Sequence, residues 1–295
     1  MPASALEACR AADAVLLGAM GLPDVRWPDR REMAPQLDIR EQLDLYAGIR
    51  PVKLYHAEDT PLKGFAAGEL DLLIVRESTE GLFHARLQPR DLEADQATDT
   101  LLVTRKGAAR VCRAAFMEAR KRRNKVSLID KANVLPSMVY FREVFREVAR
   151  EFPDVEADEV YVDAAALFLV KDPRRFDVMV TENMFGDVLS DLTAGLVGGM
   201  GMAPSGDIGD ELAVFQPAHG SAPDIAGKGI ANPVATILSL AMLLDWLGHD
   251  ETKAAAAKIK VATEMALANP ANRAPGMGGK LTTTEMTDRI IAELN

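Results

Sequence analysis

The sequence predicts an α/β protein built on a largely parallel sheet. Short apolar runs alternate with amphipathic stretches along almost the whole chain, the order expected when each strand is followed by a helix that packs back on the sheet. The clearest runs, AVLLGA (14–19), LDLLIVRES (70–78), KVSLID (125–130) and FDVMVTEN (176–183), are β-branched or leucine-rich, as expected for buried strands. No repeat, coiled-coil pattern or low-complexity segment competes with that reading.

Taken in order, SALEACRAAD is helix-like and leads straight into AVLLGA. Helical spacing over Pro35–Tyr46 then runs into a second strand that carries Arg50. LDLLIVRES follows. The stretch from Gly81 to Gly107 is less helical and is expected to form an antiparallel arm. Helices are predicted over Lys106–Arg123 and Ser137–Glu151, on either side of KVSLID. Tyr161–Arg174, YVDAAALFLVKDPR, is an apolar helix-like run opened by Asp163, and FDVMVTEN leads into a helix over Met184–Leu196. Gly195–Asp210 is glycine-rich and reads as a long turn and domain crossover. Helices over Pro233–Leu247, Thr252–Ala268 and Thr284–Leu294 close the chain. GGMGMA (198–203) has the look of a dinucleotide loop, but it follows a helix rather than a strand, so no Rossmann G-x-G-x-x-G is read.

With 295 residues, 48% of them hydrophobic and 26% charged, the chain can bury a large core. Its net charge of −10 and pI near 5.0 argue against nucleic acid as a partner. No apolar run reaches a membrane span and no signal-peptide pattern opens the chain, so a soluble cytoplasmic protein is expected. Cys9 and Cys112 make neither a disulfide framework nor a metal set, and are read as buried free thiols. An acidic protein that handles an anion must concentrate positive charge locally. Arg40, Arg50 and Arg76 are the candidates, and Arg76, at the end of a buried strand, requires a carboxylate partner.

Asp187 and Asp191 stand four apart in GDVLSDL and so share a helix face. They repel unless something positive lies between them. Together with Asp163 they make three carboxylates, a donor set suited to a hard divalent cation such as Mg2+ or Mn2+. Acidic pairs at this spacing are also common on solvated faces, and a lysine such as Lys131 at a strand end is commonly a surface charge.

SLIDKANVL (127–135), TENMFGDVLSDL (181–192) and HGSAPDIAGKGIANP (219–233), in that order, resemble the signatures of the metal-dependent, NAD(P)-linked β-decarboxylating dehydrogenases, the isocitrate/isopropylmalate dehydrogenase family. The resemblance runs from about Leu6 to the C-terminus. It implies an isopropylmalate-dehydrogenase-like fold of two interleaved domains, the first from residues 1–46 and 198–295 and the second from 47–197, and a homodimer whose sites are shared between subunits. It implies that Arg40, Arg50 and Arg76 clamp the carboxylates of a small anionic 2-hydroxy acid, and that Asp163, Asp187 and Asp191 hold the metal. Lys131 would assist removal of the hydroxyl proton, with Lys131 and Asp163 completing the partner's site. Asn133, His219, Gly220, Ser221, Ala222, Asp224, Ile225 and Asn232 would bind the cofactor. Asp224 at the adenosine ribose favours NAD, since NADP-using relatives carry Lys-Tyr at the positions of Asp224 and Ile225.

This chain departs from the family at several points. Phe83 stands where the family has a tyrosine that donates a proton, leaving His84 as a neighbouring candidate although an extended segment would turn it away. Gln216 replaces a glutamate. Gln36 and Leu37 stand where isopropylmalate dehydrogenases carry two leucines, which suits a smaller or more hydroxylated malate. The family's opening strand and Gly-Asp-Gly-Ile-Gly-type loop would precede Met1, so a chain starting there is expected to leave AVLLGA at an open edge and to bind NAD weakly; either the natural product begins further upstream or this version is functionally impaired. The expected activity is NAD- and Mg2+-dependent oxidation with decarboxylation of a substituted malate. The alternatives are a 3-isopropylmalate dehydrogenase and a non-catalytic nucleotide- or metabolite-binding protein.

Overall fold

A computed structural model describes residues 2–22, 24–28, 30–88 and 91–294. Its eight strands are β1 (Val15–Leu16), β2 (Ala47–Lys53), β3 (Asp71–Glu77), β4 (Lys125–Asp130), β5 (Glu156–Tyr161), β6 (Val178–Thr181), β7 (Pro204–Ile208) and β8 (Ala213–Pro217). They form one sheet in the order β1-β8-β7-β2-β3-β6-β4-β5. The β1/β8, β3/β6, β6/β4 and β4/β5 pairs are parallel, whereas β8/β7, β7/β2 and β2/β3 are antiparallel. The nine helices among the described residues are α1 (Ala3–Arg10), α2 (Pro35–Gln42), α3 (Arg105–Arg120), α4 (Pro136–Ala149), α5 (Val162–Lys171), α6 (Asn183–Gly195), α7 (Val234–Trp246), α8 (Asp250–Ala268) and α9 (Thr283–Ala292). None is long and apolar enough to cross a membrane.

Alternation along the central strands divides the core. Leu72 and Ile74 of β3 and Met179 of β6 face one apolar cluster, which α5, α8 and α9 help to close. Leu73 and Val75 of β3, with Val178 and Val180 of β6, face another, filled by α3 and α4. A strand buried on both faces is apolar on both, which is why these segments read as near-continuous apolar runs. Phe116 lies at the centre of the second cluster, stacked at 5.5 Å on Phe145 and 5.0 Å on Phe152.

Four expectations are corrected. Gly195–Asp210 is not simply a turn, because its second half is β7, paired with both β2 and β8. Proline, serine, glycine and aspartate are poor strand formers, but small residues are required here: a Cβ on Gly206 would come within 2.7 Å of the Phe215 ring. Among the described residues, the antiparallel arm expected over 81–107 shows one bridge, Gly81 to Leu102, and residues 82–87 form a 3-10 turn. AVLLGA contributes only Val15 and Leu16 to the sheet, with Leu17 adding one bond to the Phe215 carbonyl at 2.8 Å. Cys112 is buried as expected, but Cys9 is only half-buried on a helix with no buried residue.

Candidate active site

In the antiparallel β2/β3 register Gly48 lies opposite Arg76 and Arg50 opposite Ile74. Residues opposite one another point to the same face, as do residues two apart. Arg50 and Arg76 are therefore diagonal neighbours on one face, and α2 brings Arg40 to them. The three line a cavity of about 260 Å³, although they are only 6%, 4% and 2% exposed. Burying three guanidinium groups together is expensive unless they are paired. Burial and Arg40 push Arg76 down to about 10, and burial likewise lowers Arg50.

Two residues that sequence reasoning missed supply much of the pairing. Asp207 of β7 accepts from Arg40 Nε at 2.9 Å and from Arg50 Nη2 at 3.1 Å. Asn183, at the start of α6, accepts from Arg76 Nε at 2.9 Å and Nη2 at 2.7 Å through one oxygen, while its amide donates to the Glu80 carbonyl at 3.0 Å. The carboxylate partner required for Arg76 is Asp187, which meets its Nη1. A Cβ on Gly186 would come within 2.7 Å of the Arg76 stem, so the glycine in MFGDV is what lets the helix approach the arginine. Asn183 had a legible signal, a polar residue where a buried strand turns into the helix of the aspartate pair. Asp207 had none, because its strand was read as a turn.

Asp187 and Asp191 both line the cavity. Burial, and then the neighbouring Asp187, push the Asp191 carboxyl above its ordinary value. That crowding is what a divalent cation would relieve, and a protein usually offers Mg2+ one or two carboxylates. The pair fits such an ion. Asp163 lies elsewhere: its carboxylate accepts from Lys131 Nζ at 2.6 Å at the exposed ends of β4 and α5, and neither residue lines the arginine cavity. That bond, above all, holds the Asp163 carboxyl below its ordinary value. Among the described residues, no three His, Cys, Asp or Glu side chains are grouped to hold a metal within one chain. Asn133 is exposed in the turn beside Lys131 and lines neither this cavity nor the next.

Phe83, Gln36, Leu37 and Gln216 line the arginine cavity, as their assigned places require. The Phe83 ring lies 4.8 Å from the Arg76 guanidinium carbon, a cation–π contact and no proton donor. His84 does not line the cavity, and the segment carrying it is a 3-10 turn rather than extended chain. The Gln36 side-chain oxygen is buried without a hydrogen-bond partner.

A second cavity of about 670 Å³ adjoins the first, and Ala19, His219 and Gly220 line both. Ser221, Ala222, Ile225 and Asn232 line this cleft, together with a series of glycines. Gly227 and Gly229 have φ of +75° and +63°, where a side chain would strain the turn. Ala222 adopts the left-handed conformation at φ 45°, and the Ser221 hydroxyl donates to the Gly21 carbonyl. Asn232 is held by structure: its amide meets the sulfurs of Met202 and Met277 at 3.3 and 3.2 Å, and its oxygen accepts from the Val234 N–H at 3.1 Å. Asp224 is exposed on the short turn flanking the cleft. A cleft of this volume, with close-approach glycines and an apolar lining, fits a nucleotide.

Comparisons with known proteins place the chain in a family. The family model described as isocitrate/isopropylmalate dehydrogenase matches residues 1–290. A 3-isopropylmalate dehydrogenase from Thermotoga maritima is 47% identical over 83% of this chain and 70% of its own length. An isocitrate/homoisocitrate dehydrogenase from Thermus thermophilus is 44% identical over the whole of this chain and 84% of its own. Among solved structures, isocitrate dehydrogenase from Methylococcus capsulatus superposes with a TM-score of 0.89 at 37% identity, covering 100% of this chain and 85% of that one.

Proposed function

This chain belongs to the isocitrate/isopropylmalate dehydrogenase family, and on that premise we propose that it oxidises and decarboxylates a substituted malate with NAD and Mg2+ or Mn2+. The observation that carries the proposal is the convergence of Arg40, Arg50, Arg76, Asp187 and Asp191 on one cavity that opens beside the glycine-lined cleft. The arginines bind and orient the carboxylates of the acid, and a bidentate seat fixes the direction of the reacting carbon. Asp187 and Asp191 would hold the divalent cation, which when bound supplies positive charge to the substrate's hydroxyl oxygen and to the enolate left by loss of carbon dioxide. Asp224 and the 219–232 loop would hold NAD, the hydride acceptor. Lys131 would take the hydroxyl proton and Asp163 would join the metal's ligands, both from a second copy of the chain, since they line neither cavity of their own. The assembly proposed is therefore a homodimer. The division into a first domain of 1–46 with 198–295 and a second of 47–197 belongs to the same reading.

Gln36, with its unpaired oxygen, favours a small or hydroxylated substituent on the malate. The names of relatives such as the Thermotoga maritima protein favour 3-isopropylmalate as the second reading. The test is NADH formation across a panel of D-malate, tartrate and 3-isopropylmalate, with NAD against NADP and with the metal varied. NADH from a malate, lost on chelation of the metal, is the expected result. No turnover of any acid, with nucleotide still bound, would support a non-catalytic binding protein instead.

A further inference from the structure

We propose that Asp207 sets the charge of the acid this cavity accepts, so that the chain selects dicarboxylates over tricarboxylates. The inference rests on the substituted-malate reading and narrows it.

Asp207 sits on β7 with its side chain 1% exposed. Its two oxygens bridge Arg40 Nε and Arg50 Nη2, and the Ser78 hydroxyl lies 3.5 Å from one of them. Gly48 makes room for that arrangement: a Cβ there would lie 2.6 Å from the Ser78 hydroxyl and 3.2 Å from the Asp207 carboxylate. Burial pushes the Asp207 carboxyl up, but Arg40, Arg50 and Arg76 outweigh burial and hold it at about 2, so it is an anion at neutral pH.

The donors left for a ligand follow from the bonds already made. Arg50 Nη1 donates to the carbonyls of Ile49 and Gly206. Arg76 has Nε and Nη2 on Asn183 and Nη1 on Asp187. Of the three cavity arginines, Arg40 alone keeps both Nη amines of its fork without a protein partner among the described residues. One fork takes one carboxylate in bidentate fashion.

The charges tell the same story. Three arginines give +3, and Asp207 brings the arginine cluster to +2. Asp187 and Asp191 match the charge of one divalent cation, and Lys131 and Asp163 cancel each other. A dianion such as a malate neutralises what remains. A trianion leaves one negative charge uncompensated in a buried cavity, where such charge is most costly. With a neutral residue at 207 the balance would favour the trianion.

The experiment measures binding by calorimetry with Mg2+ present and NAD absent, so that no turnover occurs. Succinate and tricarballylate, which differ by one carboxymethyl group, are titrated into the full chain and into Asp207→Asn and Asp207→Glu variants whose folding is confirmed by circular dichroism. The unaltered protein is expected to bind succinate more tightly. Asp207→Asn is expected to shift the affinity ratio toward tricarballylate by about tenfold or more, and Asp207→Glu, which keeps the charge, to leave the preference for succinate in place. Tighter binding of tricarballylate by the unaltered protein overturns the proposal, whether or not either variant folds. So does an unchanged ratio in a folded Asp207→Asn, or an equal shift in Asp207→Glu, which would make the effect one of shape. If neither acid binds the unaltered protein, the substituted-malate reading falls as well.

Discussion

Removing Asn183 tests whether a single amide positions Arg76. Asn183 is 1% exposed, and its oxygen holds two donors of a guanidinium that is itself 2% exposed. Asn183→Ala would strand those donors and the Glu80 carbonyl together. An unsatisfied buried group costs 1–3 kcal/mol, and more when charged, so a loss of about 3 kcal/mol is expected even if water enters the gap. An unfolding entropy of roughly 2 cal/mol/K per residue amounts to about 0.6 kcal/mol/K for this chain, so Tm should fall by about 5 °C. Without Asn183, Arg76 is held by Asp187 alone and can swing about that contact, and KM for the acid should rise on the order of tenfold with a smaller change in kcat. Asn183→Asp keeps the acceptor for Arg76 but sets a carboxylate oxygen against the Glu80 carbonyl, so it should recover part of the stability. Calorimetry and initial rates against substrate concentration decide the matter. A Tm within about 1 °C of the unaltered protein, together with an unchanged KM, would refute the claim that this amide positions the arginine.

Asp187→Asn should weaken Mn2+ binding, read by calorimetry or by quenching of water relaxation, and nearly abolish turnover. Because Asp187 also meets Arg76, relief of its repulsion with Asp191 and loss of that ion pair oppose each other, so the metal-free Tm should move little; unchanged Mn2+ affinity would remove Asp187 from the metal site. Phe83→Tyr should raise the ratio of carbon dioxide to NADH if a missing proton donor limits the reaction. A ratio of one before the substitution, with no gain in rate after it, would show that another group supplies the proton. Asp207 is ionised in the folded protein down to about pH 2 but only to about 3.8 as an ordinary aspartate. Its stabilisation is thus fully present above the ordinary range and is lost as pH falls from about 5 toward 2, an acid-sensitive contribution on the order of 2 kcal/mol. Asp207→Asn should flatten that part of a urea-denaturation series against pH.

Much of the fold was legible because periodicity reports burial. LDLLIVRES, KVSLID and FDVMVTEN carry mainly apolar residues on both faces through their middles and became the buried strands β3, β4 and β6, and most predicted helices match the observed ends within two or three residues. What could not be read was β7, whose residues suit a turn by propensity and a strand only by context: Gly206 must yield space to Phe215, and Asp207 must reach two arginines distant in the chain. The site was half legible for a similar reason. Residue type and spacing singled out the arginines and the aspartate pair as candidates, and the family resemblance gave them their roles. The amide and carboxylate that hold those arginines in place lie beyond any local pattern, because a hydrogen bond spanning more than a hundred residues leaves no trace in spacing. The separation of Lys131 and Asp163 from the other candidate ligands was an expectation of the family resemblance, which assigns both to the partner's site; no local spacing carried it.

The arrangement of the arginine cavity also bears on the order in which the chain acquires its structure. Arg40, Arg50 and Arg76 lie in the first third of the sequence, and the groups that satisfy them, Asn183, Asp187 and Asp207, come after its middle. A growing chain therefore displays three clustered cations for more than a hundred residues of synthesis before any of these partners exists. Until then those guanidinium groups cannot leave water without a penalty of several kcal/mol each. β2 and β3 can pair while the guanidinium groups stay in water, but the cavity around them is complete only once α6 and β7 supply their partners. A fragment ending before residue 183 should accordingly keep these arginines solvated, and the same clustering that later grips an acid serves, during synthesis, as a brake on premature collapse.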